Sequence, residues 1–377
     1  MVIGIYIVVS LIVYGREDIY FVGQTKQLLD ITCKAQHNHE LKRDKYFSSL
    51  KKLPSPFPIQ IFEQNVLTPK TCFSLQNWGI PDSGPKIIFH IEVYKDLPMV
   101  KRTMRRLTHL NHAFMIHLAS DVSYTKRQNI TKWVEKQSSP LCVVEGGYVV
   151  YKSSTDMEII MTSMVWLLQH NTTWDFFISL SGADYPLLNV DSLRQRIQSE
   201  GNRSWSVHKA MNKNHKNMER FYMTRLTCRQ TRQTKLLTGH RKFWLKTLVP
   251  DFIPQKGYPL SSGGIFHRSM VKFLVSDDRA RAAYMYFRLF PVAGVEHYWQ
   301  TIYSLEELKN NITASLPCEM SWDEGREYDG THNTFLTEKQ WRSIIAPALK
   351  KRTPFIRKFN SIQERKVLNR IDMAQTW

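Results

Sequence analysis

The sequence predicts an α/β protein built on a mostly parallel sheet, and three observations lead there. From Lys86 onward, short apolar runs alternate with amphipathic stretches of helical length. Hydrophobic residues make up 42% of the 377 and aromatic residues 12%, which supports a large core and excludes a disordered chain or a coiled coil. No internal repeat interrupts the pattern, and neither G-x-G-x-x-G nor G-x-x-x-x-G-K-[ST] occurs, so the usual dinucleotide and P-loop phosphate cradles are absent.

The elements follow in order. Val2 to Tyr14 (VIGIYIVVSLIVY) is almost wholly apolar and is followed by Arg16, Glu17 and Asp18. Its length suits the hydrophobic part of a signal and falls short of the ~20 residues of a spanning helix. Its β-branched residues equally suit a buried strand. Residues 1–15 are therefore a candidate signal-anchor. Residues 16–85 read as a stem, poor in periodicity and punctuated by Pro54, Pro56, Pro58, Pro69, Pro81 and Pro85.

Residues 86–372 carry the alternation. Lys86–Val93 (KIIFHIEV), Phe114–Ala119, Leu141–Glu145 and Trp174–Leu180 read as strands, the last running into Ser181-Gly-Ala-Asp184. Leu97–Leu110, Tyr124–Gln137 and Thr155–His170 read as the intervening helices, the third with Ile159, Met161, Met164, Val165 and Leu168 at helical spacing. Further on, Tyr258–Phe266 is a turn feeding a strand, with helices over Arg268–Val275 and Asp278–Phe290. Ligands of open parallel sheets gather beyond the carboxyl ends of the strands. His117, Glu145 and Asp184 sit at or near such ends.

The 52 Lys and Arg outnumber 33 Asp and Glu, a net charge of +19 that points to anionic partners. The basic residues spread over two segments, about 205–250 and Lys350–Arg370, with no nucleic-acid-binding module around them, so nucleic acid is not the expected partner. The five cysteines (Cys33, Cys72, Cys142, Cys228, Cys318) form no C-x-x-C pair, which argues against zinc. Four N-x-[ST] triplets begin at Asn129, Asn171, Asn202 and Asn311. If the chain is lumenal, some cysteines pair, and at least one stays free or pairs between chains.

Three segments, Trp174–Leu188 (WDFFISLSGADYPLL), Ser262–Trp299 (SGGIFHRS through GVEHYW) and Pro354–Asn360 (PFIRKFN), resemble in order and spacing the core-2/I-branching N-acetylglucosaminyltransferase and peptide O-xylosyltransferase family. The resemblance runs from about Lys86 to Asp372. It implies a GT-A-like nucleotide-sugar transferase fold, inverting transfer from a UDP-sugar and a Golgi-lumenal catalytic domain tethered to the membrane by the N-terminal segment. It also implies metal independence: no strict D-x-D is present, Glu327-Tyr-Asp329 comes close, and cationic side chains would stand in for the metal.

Residue by residue, Glu296 of Val295-Glu-His-Tyr-Trp299 matches the family's catalytic base and would sit in a first helical turn, where a carboxylate also simply suits the helix dipole. Lys358 and Arg357 match the segment that meets the donor diphosphate. Tyr151 matches a tyrosine near the nucleotide, and His117 a histidine near the uracil, although His117-Leu-Ala119 lacks the Asp expected two residues on. Asp184 fits the Asp-[Tyr/Phe]-Pro turn, where it either serves the donor or caps the turn. Trp322, with Trp299, is expected on the acceptor side, where aromatic rings cover apolar sugar faces. The Arg expected after Asp329-Gly-Thr-His332 is absent. The expected reaction is GlcNAc transfer from UDP-GlcNAc to an O-glycan hydroxyl as a β1,6 branch. Two alternatives stay open: xylose transfer to Ser of a proteoglycan core, and a non-catalytic lumenal glycan-binding protein on the same fold.

Overall fold

The computed structural model describes residues 71–73, 84–93, 96–119, 122–134, 136–137, 140–145, 155–170, 173–205, 208–210, 223–228, 233–238, 255–257, 264–288, 294–321 and 335–374. The strands are β1 Thr71–Phe73, β2 Ile87–Val93, β3 His112–Leu118, β4 Leu141–Glu145, β5 Phe176–Ser181, β6 Asp184–Pro186, β7 Ser204–Trp205 and β8 His208–Ala210. They continue with β9 Met223–Cys228, β10 Gln233–Thr238, β11 Gln255–Gly257, β12 Ile265–His267, β13 Ile312–Thr313, β14 Cys318–Met320 and β15 Phe355–Arg357. The helices are α1 Leu97–Leu107, α2 Tyr124–Val134, α3 Thr155–Gln169, α4 Val190–Ser199, α5 Arg268–Ser276, α6 Asp278–Arg288, α7 Gly294–Tyr303, α8 Ala346–Lys350 and α9 Arg365–Ala374.

Eight strands form one sheet in the order β1-β4-β3-β2-β5-β12-β7-β13, and β4, β3, β2 and β5 are mutually parallel at its centre. This is the α/β architecture expected from the alternation. The helices between these strands stop where expected to within a few residues. α1 shows why: the Asp96 side chain accepts from the Met99 N–H at its start, and Met99, Val100, Thr103, Met104 and Leu107 form its buried stripe.

Strand alternation sends successive side chains to opposite faces. On β2, Ile87, Phe89, Ile91 and Val93 join the layer under α1, α2 and α4, while Ile88 joins the layer under α3, α5, α6 and α7. A third apolar cluster holds Tyr185, Ile356 and Phe359 against Val367, Leu368 and Ile371 of α9. There Asp372 accepts from Arg102 and Arg106 of α1, each at 2.5 Å, and from the Tyr185 hydroxyl at 2.6 Å. The C-terminal helix is thereby tied to the first helix.

The sheet reaches back into the segment expected to be stem. β1 pairs antiparallel with β4 and sets Cys72 opposite Cys142, and Cys142 is disulfide-bonded. Cys318 is a buried free thiol, and burial pushes its pKa far up, which makes it unreactive. Lys209, Arg225 and Lys235 of the middle basic cluster fall on β8, β9 and β10. The candidate anchor lies outside the described residues, among which no helix is long and apolar enough to cross a membrane.

His90 interrupts an apolar strand and is fully buried, its Nδ1 3.3 Å from Ser179 Oγ and its ring stacked 6.2 Å from that of His117. Burial, and then the His117 ring, hold its pKa down at about 3, against 6.5 in an unfolded chain. Between those values the unfolded state takes up a proton that the native state refuses. His90 therefore supports the fold fully above pH 6.5, and that support is lost as pH falls toward 3, by about 1.4 kcal/mol per pH unit. Denaturant titrations of His90→Gln at several pH values between about 4 and 6 should show a stability profile flatter by that slope. An unchanged slope would show that the native state protonates His90.

Candidate active site

The site begins where β2, β3 and β5 end. The register sets His117 opposite Glu92 and Glu92 opposite Ser181, a polar row across three parallel strands. Beyond Ser181 the chain reverses at once into β6. Asp184 closes this turn, its Oδ2 accepting from the Ser181 N–H at 2.6 Å. Gly182 donates its N–H to Glu92 O at 2.8 Å, and a Cβ there would press on Glu92 O at 3.2 Å and Val100 Cγ2 at 3.3 Å. Glycine thus lets the turn lie directly against the end of β2.

The other wall comes from the far end of the sequence. β15 lies between β14 and β6 in a three-stranded sheet, with Arg357 in register with Asp184 on one side and Met320 on the other. Arg357 Nε lies 3.4 Å from Asp184 Oδ1, and the Asp184 side chain is 0% exposed against 16% for Arg357. A second carboxylate, Asp156 in the first turn of α3, feels the same guanidinium. Burial raises the Asp156 pKa while Arg357 pulls it back, and its Oδ1 is buried without a hydrogen bond. Arg357 therefore faces two carboxylates of the protein itself, Asp184 at ion-pair distance and Asp156 through its field.

Lys358 is differently placed. Its carbonyl accepts from the Leu336 N–H at 3.0 Å, and the next residue, Phe359, donates its N–H to Ala183 O at 3.1 Å. The second bond fastens the segment to the Ser181–Asp184 turn, and the first ties it to Leu336. The Lys358 ammonium rests 4.8 Å from the centre of the half-exposed Phe335 ring, a cation–π contact. Partial burial, and then the adjacent Arg357, hold its pKa below the usual lysine value.

Asp184, Arg357 and Lys358 are thus brought together at one strand end, with His117 on the same edge, fully buried beside His90. Glu296 falls in the first turn of α7, where it was expected, and its side chain is not among those described. Tyr151 and Trp322 lie outside the described residues. Trp299 corrects an expectation. It is 0% exposed, packed edge-to-face on Phe266 and Tyr298, and so offers no ring face to an acceptor sugar.

Asp156 and Phe335 were missed from the sequence. Asp156 reads there as an ordinary first-turn acid, and Phe335-Leu336 is a short apolar pair between polar residues. His90 and Glu92, two polar residues on a strand otherwise apolar, are a pattern that could have marked this edge and were also passed over. Among the described residues, no group of three or more His, Cys, Asp or Glu is arranged to hold a metal ion.

An α/β sheet with a polar, cation-bearing edge beyond its parallel strands is the general form of a nucleotide or sugar-nucleotide site. Residues 87–345 match the family model described as Core-2/I-Branching enzyme, and the chain belongs to that glycosyltransferase family. Among curated proteins it is similar to the beta-glucuronosyltransferase GlcAT14A of Arabidopsis thaliana, 23% identical over 300 residues that cover 72% of this chain and 60% of that one. It is also similar to GlcAT14B of the same plant, 30% identical over 104 residues, 26% of this chain and 24% of the relative. The matches therefore span less than two thirds of those relatives' lengths. Among solved structures, mouse xyloside xylosyltransferase 1 in its apo form aligns at a TM-score of 0.34 and 9% identity, covering 71% of this chain and 96% of that one. The mannosyltransferase PcManGT of Pyrobaculum calidifontis aligns at a TM-score of 0.26 and 11% identity, over 40% of this chain and 42% of that one. Likeness at that level carries no argument about the reaction.

Proposed function

We propose that this chain is an inverting, metal-independent transferase that moves a sugar from a UDP-sugar to a glycan hydroxyl. Glu296 is its general base and Lys358 the cation that receives the leaving diphosphate. The observation that carries the reading is the state of the two adjacent cations. Arg357 is paired with Asp184, whereas Lys358 is half-buried with its ammonium over the Phe335 ring, on a segment fastened to the strand-end turn. The joint role expected for the pair divides on this reading: Arg357 anchors and Lys358 binds.

The chemistry then follows. The acceptor oxygen attacks the anomeric carbon from the face opposite UDP and forms the new C–O bond. The bond to the diphosphate oxygen breaks with its electron pair, and the Glu296 carboxylate takes the acceptor proton. Lys358 stabilises the charge developing on the diphosphate, the task a metal performs elsewhere. Lys358→Met should lower kcat/KM for the donor by about 10- to 100-fold, the worth of one charge-assisted hydrogen bond. Activity in excess chelator should match that in its absence, and loss in chelator would refute metal independence.

For the donor, we take UDP-GlcNAc and a β1,6 branch on an O-glycan as the first reading, supported by the family to which residues 87–345 belong. Glucuronosyl transfer from UDP-glucuronic acid is the second, supported by the beta-glucuronosyltransferase relatives. A radiolabelled panel of UDP-GlcNAc, UDP-glucuronic acid and UDP-xylose against O-glycan and Ser-Gly peptide acceptors separates them. Incorporation from UDP-glucuronic acid or UDP-xylose alone would overturn the first reading. Transfer and hydrolysis of none would favour a glycan-binding protein. We further take the site of action as the Golgi lumen, with residues 1–15 as the tether. The Cys142 disulfide is in keeping with an oxidising compartment. Protease protection of the catalytic portion in intact microsomes tests that topology.

A further inference from the structure

Two of the four N-x-[ST] triplets meet in the fold, although 106 residues of sequence lie between them, Asn202-Arg-Ser204 leading into β7 and Asn311-Ile-Thr313 into β13. The two strands pair in parallel, Ile312 opposite Ser204 and Thr313 opposite Trp205. Both asparagines therefore stand at the same end of neighbouring strands, which run about 5 Å apart. Among the described residues, β13 is one of the two edge strands of the eight-stranded sheet, at the end opposite β1.

The two parts of each triplet are sorted by the fold. Asn202 and Asn311 are exposed. The hydroxyl residues turn inward and are used there. Ser204 is 0% exposed and its Oγ accepts from the His267 N–H at 2.9 Å. Thr313 donates to Glu200 at 2.8 Å, a carboxylate that also accepts from Ser315 at 3.0 Å and pairs with Arg196. An independent observation, the disulfide at Cys142, belongs to the kind of compartment in which asparagines are glycosylated.

We propose that Asn202 and Asn311 both carry N-linked oligosaccharides, set side by side on the outer edge of the sheet. The donor class is an oligosaccharide joined to a polyprenyl diphosphate. The side-chain amide nitrogen forms a bond to C1 of the first sugar, the C1–O bond to the diphosphate breaks with its electron pair, and the amide loses one proton. Transfer precedes closure of this edge, because the folded protein has already engaged the Ser204 and Thr313 hydroxyls. The pair of bulky, polar chains then covers strand ends that would otherwise present open backbone groups to another chain.

The fold also dictates how to test it. Ser204→Ala or Thr313→Ala would remove a structural hydrogen bond together with the triplet, whereas Asn202→Gln and Asn311→Gln leave both hydroxyls in place. The full chain is expressed in a eukaryotic secretory pathway, and peptides are mapped after an amidase converts glycosylated Asn to Asp. Conversion at both positions is expected. Each single variant should migrate one glycan increment faster and the double variant two, with sugar transfer unchanged. Glycan at neither position, or at only one, overturns the proposal, and does so whatever donor the enzyme uses.

Discussion

Glu296→Gln should lower turnover by about 100- to 10,000-fold while leaving UDP affinity within a few-fold of the parent. The substitution keeps size and hydrogen-bonding capacity and removes only the ability to accept a proton in the transition state. Glu296 lies in the first turn of α7, whose following residues, Tyr298, Trp299 and Ile302, are fully buried against the sheet layer. A neutral residue in that turn gives up at most the modest favourable interaction of a carboxylate with the helix dipole, about 0.3–1 kcal/mol. A merely structural Glu296 would therefore show a small drop in stability and near-normal turnover. Initial rates together with calorimetric UDP binding distinguish the two. Loss of UDP binding in parallel with turnover would remove Glu296 from the role of base.

The second large effect is expected at Asp184. Its side chain is wholly buried, closes the Ser181–Asp184 turn and pairs with Arg357. Asp184→Asn can keep the hydrogen bond from the Ser181 N–H but removes the charge. Arg357 would then be left poorly compensated, and breaking a buried pair by removing one partner costs on the order of 3–5 kcal/mol. The double variant Asp184→Asn, Arg357→Met should recover much of the lost stability, because the unpaired cation goes with its partner. Urea unfolding of the two single variants and the double variant measures the coupling. Additive losses would mean that the 3.4 Å contact carries no pair energy. Kinetically, Asp184→Asn should raise the donor KM, since the turn that Asp184 closes also fastens the Lys358 segment through Ala183 O.

Local patterning made the central sheet legible, since periodicity within a dozen residues decides strand or helix. Leu141–Glu145 was read with its observed bounds, and β2, β3 and β5 to within two residues at either end. What joined distant segments was not legible that way. The pairing of β15 with β6, which sets Arg357 against Asp184, spans most of the domain and leaves no periodic trace. The same holds for β1, a three-residue strand in a proline-rich segment that reads as stem, and for the meeting of Asn202 with Asn311. Trp299 was misplaced because an aromatic next to a candidate base looks like a sugar platform. On α7 it shares the buried stripe with Tyr298, Ile302 and Tyr303, and burial decides its role. The opening charge surplus is only partly accounted for. Arg102 and Arg106 share the Asp372 carboxylate and Arg357 meets Asp184, while the Lys358 ammonium lies over the Phe335 ring.

The central claim is transfer with inversion. The most direct measurement is the proton–proton coupling at the anomeric centre of the product, read by NMR after the purified chain has converted an α-linked UDP-sugar and a glycan acceptor. The account predicts a β-linked product in the parent and only a trace of it with Glu296→Gln. An α-linked product would mean retention, and would contradict both the mechanism and the role of Glu296.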